Sequence, residues 1–122
     1  MTKKQYEPAV AALHDAHSIC IVTHLRPDAD AIGSAAALLL ALRQRGKDVC
    51  AVVGQEREIS RNLYTIPAAD DVTTSLKLPE GYDLYVTVDC GSLDRTGFFA
   101  DRIEQLAKQG RVLCIDHHSS NP

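Results

Sequence analysis

The alternation of short apolar strands with helices most constrains the fold of this chain. Four runs rich in β-branched and apolar residues have the length of buried strands. They are residues 18–23, 48–53, 83–88 and 111–115. Segments with helical spacing or many Ala and Leu residues lie between them or precede them. They are residues 6–16, 31–45, 56–64 and 99–108, whereas 68–81 is expected to be mostly loop.

Strands that alternate with helices at this spacing predict parallel crossover connections. We therefore expect an α/β fold, an open doubly wound and mostly parallel sheet with helices on both faces. A length of 122 residues, with 45% hydrophobic and 24% charged residues, is typical of one globular domain. No apolar stretch is long enough for a membrane span, and we expect a cytoplasmic protein.

The charged residues and cysteines exclude two other classes of protein. Lys and Arg are scattered over a chain with a net charge of -3, which argues against a nonspecific nucleic-acid surface. Any nucleotide should therefore bind at a local site. The four cysteines stand in or beside apolar runs without a CxxC pair, which predicts buried free thiols rather than disulfides. They are Cys20, Cys50, Cys90 and Cys114.

Ionisable side chains follow three of the four predicted strands. They are His24, Asp28 and Asp30 after the first strand, Asp89 after the third, and Asp116, His117 and His118 after the fourth. The carboxyl ends of the strands form the ligand crevice in an open parallel sheet. Carboxylates and imidazoles crowded there favour a divalent ion such as Mn, Fe or Zn.

The spacing within the first loop is compatible with two ions. His24 and Asp28 could face one ion while Asp30 reaches a second, and Asp89 is the candidate for a shared ligand. Such pairs of ions activate water for phosphoryl displacement. Gly33 and Ser34 follow near the start of a helix, where backbone amides favour an anion such as phosphate.

Each of these residues also has an ordinary structural interpretation. Asp28 or Asp30 could be a helix N-cap, and Asp89 could form a turn. The adjacent His117 and His118 could be one core and one surface residue. Outside this group, Arg26 and Arg95 could contact phosphate or pair with the aspartates, and His14 and His17 are expected to be structural.

Three motifs together resemble those of the DHH phosphoesterase superfamily. They are HLRPDADAIGS at 24–34, Val88-Asp89, and Asp116-His117-His118. With DCGSLDRTG at 89–97, the chain is most similar to the branch of bifunctional oligoribonucleases (nanoRNases) and 3'-phosphoadenosine 5'-phosphate phosphatases. The resemblance implies Mn²⁺-dependent hydrolysis of short oligoribonucleotides and 3'-phosphorylated nucleotides by two-metal activation of water.

The resemblance also implies a role for each motif residue. One Mn²⁺ would be held by His24, Asp28 and Asp89, and the other by Asp30, Asp89 and His117. His118 would face the scissile phosphate with Gly33 and Ser34 nearby, and Asp116 would orient the histidine pair. Asp89, Asp116 and His118 are thus the expected catalytic residues.

The resemblance covers only part of a family member. Members carry a fourth motif beyond the DHH sequence, followed by a C-terminal substrate domain of the DHHA1 type. We therefore expect residues 1–122 to be an N-terminal portion of the catalytic domain with an incomplete second metal site. We expect weak metal binding and little turnover from this chain alone, and a homodimer of the full-length protein.

Other functions remain open from the sequence. Within the superfamily, the chain could belong to a cyclic dinucleotide phosphodiesterase or an inorganic pyrophosphatase. A haloacid-dehalogenase enzyme is less consistent, because four residues separate Thr23 from Asp28 and the DHH motif has no role there. A metal-free nucleotide-binding module would use Gly33 and the helix start, and it would tolerate substitution of Asp89.

Overall fold

A computed structural model describes residues 10–59, 63, 65–90 and 92–115. Five parallel strands form one sheet in the order β3-β2-β1-β4-β5. The strands are β1 (Ser18–Thr23), β2 (Asp48–Val53), β3 (Val72–Thr74), β4 (Leu84–Val88) and β5 (Val112–Ile115). Helical segments are α1 (residues 10–15), α2 (Ala29–Gln44) and α3 (Ala100–Lys108). Short 3-10 segments occupy Ala69–Asp71 and Leu93–Phe99.

Strand β1 lies at the centre of the sheet, and its side chains alternate between two cores. Ile19 and Ile21 pack in the core that contains the inner face of α2, whereas Cys20 and Val22 pack with Ile103 of α3 on the other face. Strands covered on both faces become continuously apolar, which explains the SICIVT run. The predicted α/β fold with helices on both faces is confirmed.

Helix α2 begins two residues earlier than the sequence pattern predicts. Asp28 is its N-cap, and its Oδ1 atom accepts a hydrogen bond of 2.9 Å from the backbone N–H of Ala31. The helix ends at Gln44, followed by Gly46 in the left-handed region with φ 79°. Its buried face is made of Ala31, Ile32, Ala35, Ala36, Leu39 and Leu42. The N-cap places the helix start directly beside the end of β1.

The segment between β2 and β4 differs most from the prediction. Residues 56–59 are not helical, so the helix expected at 56–64 is wrong over those residues. The expected loop at 68–81 contains β3, which pairs with β2 from Val72 opposite Ala51 to Thr74 opposite Val53. This three-residue strand is stabilised by its neighbour β2, so its own sequence carries little signal. Of the helix predicted at 6–16, residues 10–16 lie in the described part, and 10–15 of these are helical.

None of the four cysteines forms a disulfide, but they are not all buried. Cys20 and Cys90 are buried, Cys50 is half-buried and Cys114 is exposed. The expectation of free thiols is confirmed, whereas the expectation of burial is wrong for Cys114. Cys20 and Cys50 are opposite each other on β1 and β2. A hydrogen bond from Cys20 lowers the pKa of the Cys50 thiol to about 7, against the effect of burial.

The strand order reverses direction along the sheet between β1 and β4. From β1 the chain continues outward to β2 and β3 on one side, and it then returns to add β4 and β5 on the other. Strand β1 pairs with β4 from Ile19 opposite Leu84 to Val22 opposite Thr87. Open α/β sheets bind ligands at such a switch point, beyond the carboxyl ends of the strands. Within the described residues, no helix combines the length and apolar character needed to cross a membrane.

Candidate metal centre

His24 is the first residue after β1, and it is 7% exposed. Its Nδ1 atom lies 2.7 Å from the backbone carbonyl oxygen of Leu25. A carbonyl oxygen can only accept a hydrogen bond, so Nδ1 carries the proton and Nε2 keeps its lone pair in the neutral ring. His24 therefore presents a metal-ligating atom in a fixed orientation.

Two carboxylates face this nitrogen. His24 Nε2 lies 3.6 Å from Asp89 Oδ2 and 3.8 Å from Asp28 Oδ1. One ligand atom from each residue lies within 4.8 Å of the other two. Ligands that are each about 2.1 Å from a shared ion lie roughly 3 to 4 Å apart, and both distances from His24 Nε2 have this spacing. An imidazole and two carboxylates also form a ligand set suited to a divalent transition metal.

Asp89 differs from an ordinary surface aspartate in its burial and its backbone. It is 5% exposed, and its φ of 53° lies in the left-handed region that non-glycine residues rarely adopt. Its backbone N–H donates a 3.0 Å hydrogen bond to the carbonyl of Ile115 in β5. Such strained backbone conformations concentrate at functional sites, where surrounding contacts maintain them. The fold therefore holds this carboxylate at the switch point despite the cost.

Hydrogen bonds fix the strand ends and the loop that carry the ligands. Thr23 Oγ1 donates a 2.9 Å bond to the carbonyl of Val88, which joins the last residues of β1 and β4. The backbone N–H of Leu25 donates to the carbonyl of Arg95 at 2.8 Å, and that of Arg26 donates to Gln55 Oε1 at 2.8 Å. Neither Thr23 nor Gln55 was predicted from the sequence to have a role at the site. The signal that could have identified these two residues is their polar character next to the ends of buried strands.

The other predicted residues of the first loop lie close to this cluster without belonging to it. Asp30 is exposed in the first turn of α2, so its part in a second ion site stays a prediction. Gly33 and Ser34 lie in the next turn, beyond the amides that a helix start leaves available. A Cβ atom on Gly33 would meet no atom within 4 Å. The substrate-binding roles of Gly33 and Ser34 also stay predictions.

The remaining predicted site residues are distributed as follows. Asp116, His117 and His118 lie outside the described residues. They follow β5, whose last residue, Ile115, pairs with Val88 beside Asp89. Arg26 and Arg95 are both exposed, and the contribution of each to the loop is through its backbone.

The fold is a parallel α/β domain with a candidate metal centre at its switch point, and comparison of the sequence with family models identifies its class. The model of the DHH family, N-terminal domain, matches residues 18–122. The chain therefore belongs to the DHH family. The match includes β1 and every residue of the candidate metal centre.

Two relatives are similar over most of this chain. The bifunctional oligoribonuclease and PAP phosphatase NrnA of Thermus thermophilus is 34% identical over 105 residues, which are 85% of this chain and 29% of that protein. The crystal structure of an exopolyphosphatase-related protein from Bacteroides fragilis superposes with a TM-score of 0.76 at 25% identity. That superposition covers 98% of this chain and 37% of the other. The chain thus spans about a third of the length of these relatives.

Proposed function

We propose that this chain contributes the metal-binding edge of a phosphoesterase that hydrolyses short oligoribonucleotides and 3'-phosphoadenosine 5'-phosphate. The proposed cofactor is Mn²⁺, in two ions. The observation that carries the proposal is the cluster of His24, Asp28 and Asp89 at the switch point of the sheet. The similarity to the Thermus thermophilus protein supports this choice of substrates.

The residues of the cluster have separate tasks in this proposal. His24 and Asp89 supply buried ligands, whereas Asp28 supplies a ligand and caps α2. Divalent ions bound here would neutralise substrate charge and favour ionisation of a water molecule. The free amides in the first turn of α2 would attract a phosphate oxygen. Asp30 and His117 are the proposed further ligands, with Asp116 and His118 completing the catalytic set.

Hydrolysis assays test this function. The chain, and any longer form that its gene encodes, should be incubated with a short RNA dinucleotide and with 3'-phosphoadenosine 5'-phosphate, with and without Mn²⁺. We expect Mn²⁺-dependent release of mononucleotide or phosphate by the longer form and little turnover by the 122-residue chain. Hydrolysis that is unchanged by metal removal and by Asp89→Asn would contradict the proposal.

A second substrate class deserves a parallel assay because of the likeness to an exopolyphosphatase-related protein. Condensed phosphates carry phosphoanhydride bonds in place of phosphoesters, but their non-bridging oxygens could bind at the same candidate metal centre. Pyrophosphate and tripolyphosphate therefore belong in the assay beside the nucleotides. Hydrolysis of these alone would assign the chain to an inorganic phosphatase of the same family.

A further inference from the structure

A groove of about 670 Å³ adjoins the candidate metal centre. Three segments line it: residues 25–27 of the loop after β1, residues 54–59 after β2, and residues 97–98 of the 3-10 segment. We call it the Phe98 groove. Its volume is within the range of sites for small organic ligands. The established family membership and the proposed reaction do not by themselves say what occupies it.

The groove and the metal centre share one loop. Residues 25–27 form a wall of the groove and stand between the ligands His24 and Asp28. A substrate whose phosphate is held by those ligands therefore has its attached group next to this wall. The occupant of the groove should be the part of the substrate nearest to the reacting phosphate.

The three segments are joined tightly enough to form the groove in advance of binding. The backbone N–H of Phe98 donates a 3.1 Å bond to the carbonyl of Gly54. A Cβ atom on Gly54 would lie 2.4 Å from the carbonyl oxygen of Thr96, and one on Gly97 would lie 2.3 Å from that of Gly54. Only glycine permits this close approach. The hydrogen bond from the backbone N–H of Arg26 to the side chain of Gln55 joins residues 25–27 to residues 54–59.

The side chain of Phe98 is 62% exposed at the groove, in contrast to its buried neighbour Phe99. It is the one aromatic residue among the strongly exposed large apolar side chains of the described chain. Pro27 and Ile59 are buried in the lining and provide apolar surface. Exposed aromatic rings beside phosphate sites stack on nucleobases, because every base offers a flat π face.

The charged residues that line the groove favour an uncharged nucleobase over further phosphate groups as its occupant. Arg26 and Arg57 are matched by Glu56 and Glu58, so the charged residues of the lining sum to zero. A chain of condensed phosphates would place several negative charges beside those glutamates. An uncharged base avoids that repulsion, and its polar edge can use the carboxylates as hydrogen-bond acceptors.

We infer that the Phe98 groove binds the nucleobase next to the scissile phosphate, with the ring of Phe98 as its stacking surface. This inference rests on the proposed function and makes it more specific. It assigns nucleotide selectivity in part to this domain. Phe98 is then a substrate-binding residue, and its exposure reflects that role.

Binding measurements with matched ligands test this inference. Dissociation constants of adenosine 5'-monophosphate, ribose 5-phosphate and tripolyphosphate should be measured by calorimetry with the Mn²⁺-loaded chain. We expect adenosine 5'-monophosphate to bind about 10-fold more tightly than ribose 5-phosphate, the size of one stacked base. Phe98→Ala and Phe98→Leu should remove most of this preference, and Phe98→Tyr should retain it.

Controls separate the groove from the metal centre. Leu76→Ala removes another exposed apolar side chain, which lies outside the groove, and should leave all three affinities unchanged. Equal affinity for the two sugar phosphates, no binding of either at millimolar concentration, or a preference that survives Phe98→Ala would overturn the groove assignment. If ribose 5-phosphate binds but neither Mn²⁺ nor Asp89→Asn alters its affinity, the proposed function itself fails.

Discussion

Two aspartates flank β4, and their surroundings differ sharply. Asp83 precedes the strand, is exposed, and accepts backbone hydrogen bonds from His17 at 2.9 Å and Ser18 at 3.3 Å. These two donors hold the pKa of the Asp83 carboxyl below its usual range. Asp89 follows the strand, is 5% exposed, and has a left-handed backbone with His24 Nε2 at 3.6 Å.

The difference separates an aspartate that joins strands from one that is a candidate metal ligand, at the two ends of a single strand. Asp83 joins the amino ends of β1 and β4, and backbone donors stabilise its charge. Asp89 shares a small space with a second carboxylate, that of Asp28. Carboxylates that close repel each other unless a cation lies between them. Burial, like charge and backbone strain together therefore favour the carboxyl end of the sheet as the candidate metal centre.

The largest expected effect comes from exchanging Asp89 for asparagine, with the same exchange at Asp83 as its control. Asp89→Asn should weaken Mn²⁺ binding by at least about 100-fold, because loss of even an outer-shell partner costs 10- to 100-fold. Asp83→Asn should leave the affinity unchanged. Calorimetric titration of both variants measures this contrast. Equal losses in the two variants would mean that metal binding does not distinguish the two ends of the strand.

Asp28 combines both kinds of role, and two substitutions separate them. Asp28→Ser keeps a side-chain oxygen for the α2 N-cap and removes the carboxylate, so Mn²⁺ affinity should fall about 10-fold or more with little loss of stability. Asp28→Ala should lose both the affinity and about 1 kcal/mol of unfolding free energy. Titration and urea unfolding measure the two effects. Unchanged Mn²⁺ affinity in Asp28→Ser would remove Asp28 from the ligand set.

Substitution of Thr23 tests how much the hydrogen bond between the carboxyl ends of β1 and β4 stabilises the fold. Thr23→Val keeps the shape of the side chain and leaves the buried carbonyl of Val88 without its 2.9 Å donor. We expect a loss of about 1 kcal/mol in unfolding free energy. Ser18→Ala at the amino ends alters an exposed bond to the Asp83 N–H and is the matched control. An equal or larger loss in the control would mean that the Thr23 bond stabilises the strand ends no more than the exposed bond at their amino ends.

The smallest expected effect is the dependence of stability on pH through Asp83. A lowered pKa means that the stabilising contribution is complete above the ordinary aspartate value of about 3.9 and is lost as the pH falls through the lowered value. The Tm of the wild type should therefore exceed that of Asp83→Asn near neutral pH. The gap should narrow below about pH 4. A difference in Tm between the two proteins that widened on acidification would contradict the lowered pKa of Asp83.

The sequence was sufficient to predict most of the sheet. Runs such as SICIVT identify β1 and β2 with their correct bounds, because strands covered on both faces are apolar throughout. The strand β3 was missed, since Val72–Thr74 is stabilised by pairing with β2 rather than by a pattern of its own. Helix α2 starts early because Asp28, predicted as a metal ligand, also caps the helix.

The cluster of candidate ligands could be predicted because parallel strands bring their carboxyl ends to one edge. His24, Asp28 and Asp89 meet there as expected. The Phe98 groove could not be predicted, because it depends on the close contact of Gly54 with Gly97, which are far apart in the sequence. Neither glycine signals that contact by its local pattern. Tertiary packing therefore determines the part of the site that we assign to the base.

Paramagnetic broadening by Mn²⁺ tests the central claim most directly, because it locates the ion on the fold. Amide NMR spectra of the ¹⁵N-labelled chain should be recorded with substoichiometric Mn²⁺. We predict selective loss of signals from residues around His24, Asp28 and Asp89, while those of Ser18 and Leu84 at the opposite strand ends, roughly 15 Å away, persist longer. Broadening centred on the Asp83 end, or spread evenly over the exposed carboxylates, would contradict a metal centre at the carboxyl edge of the sheet.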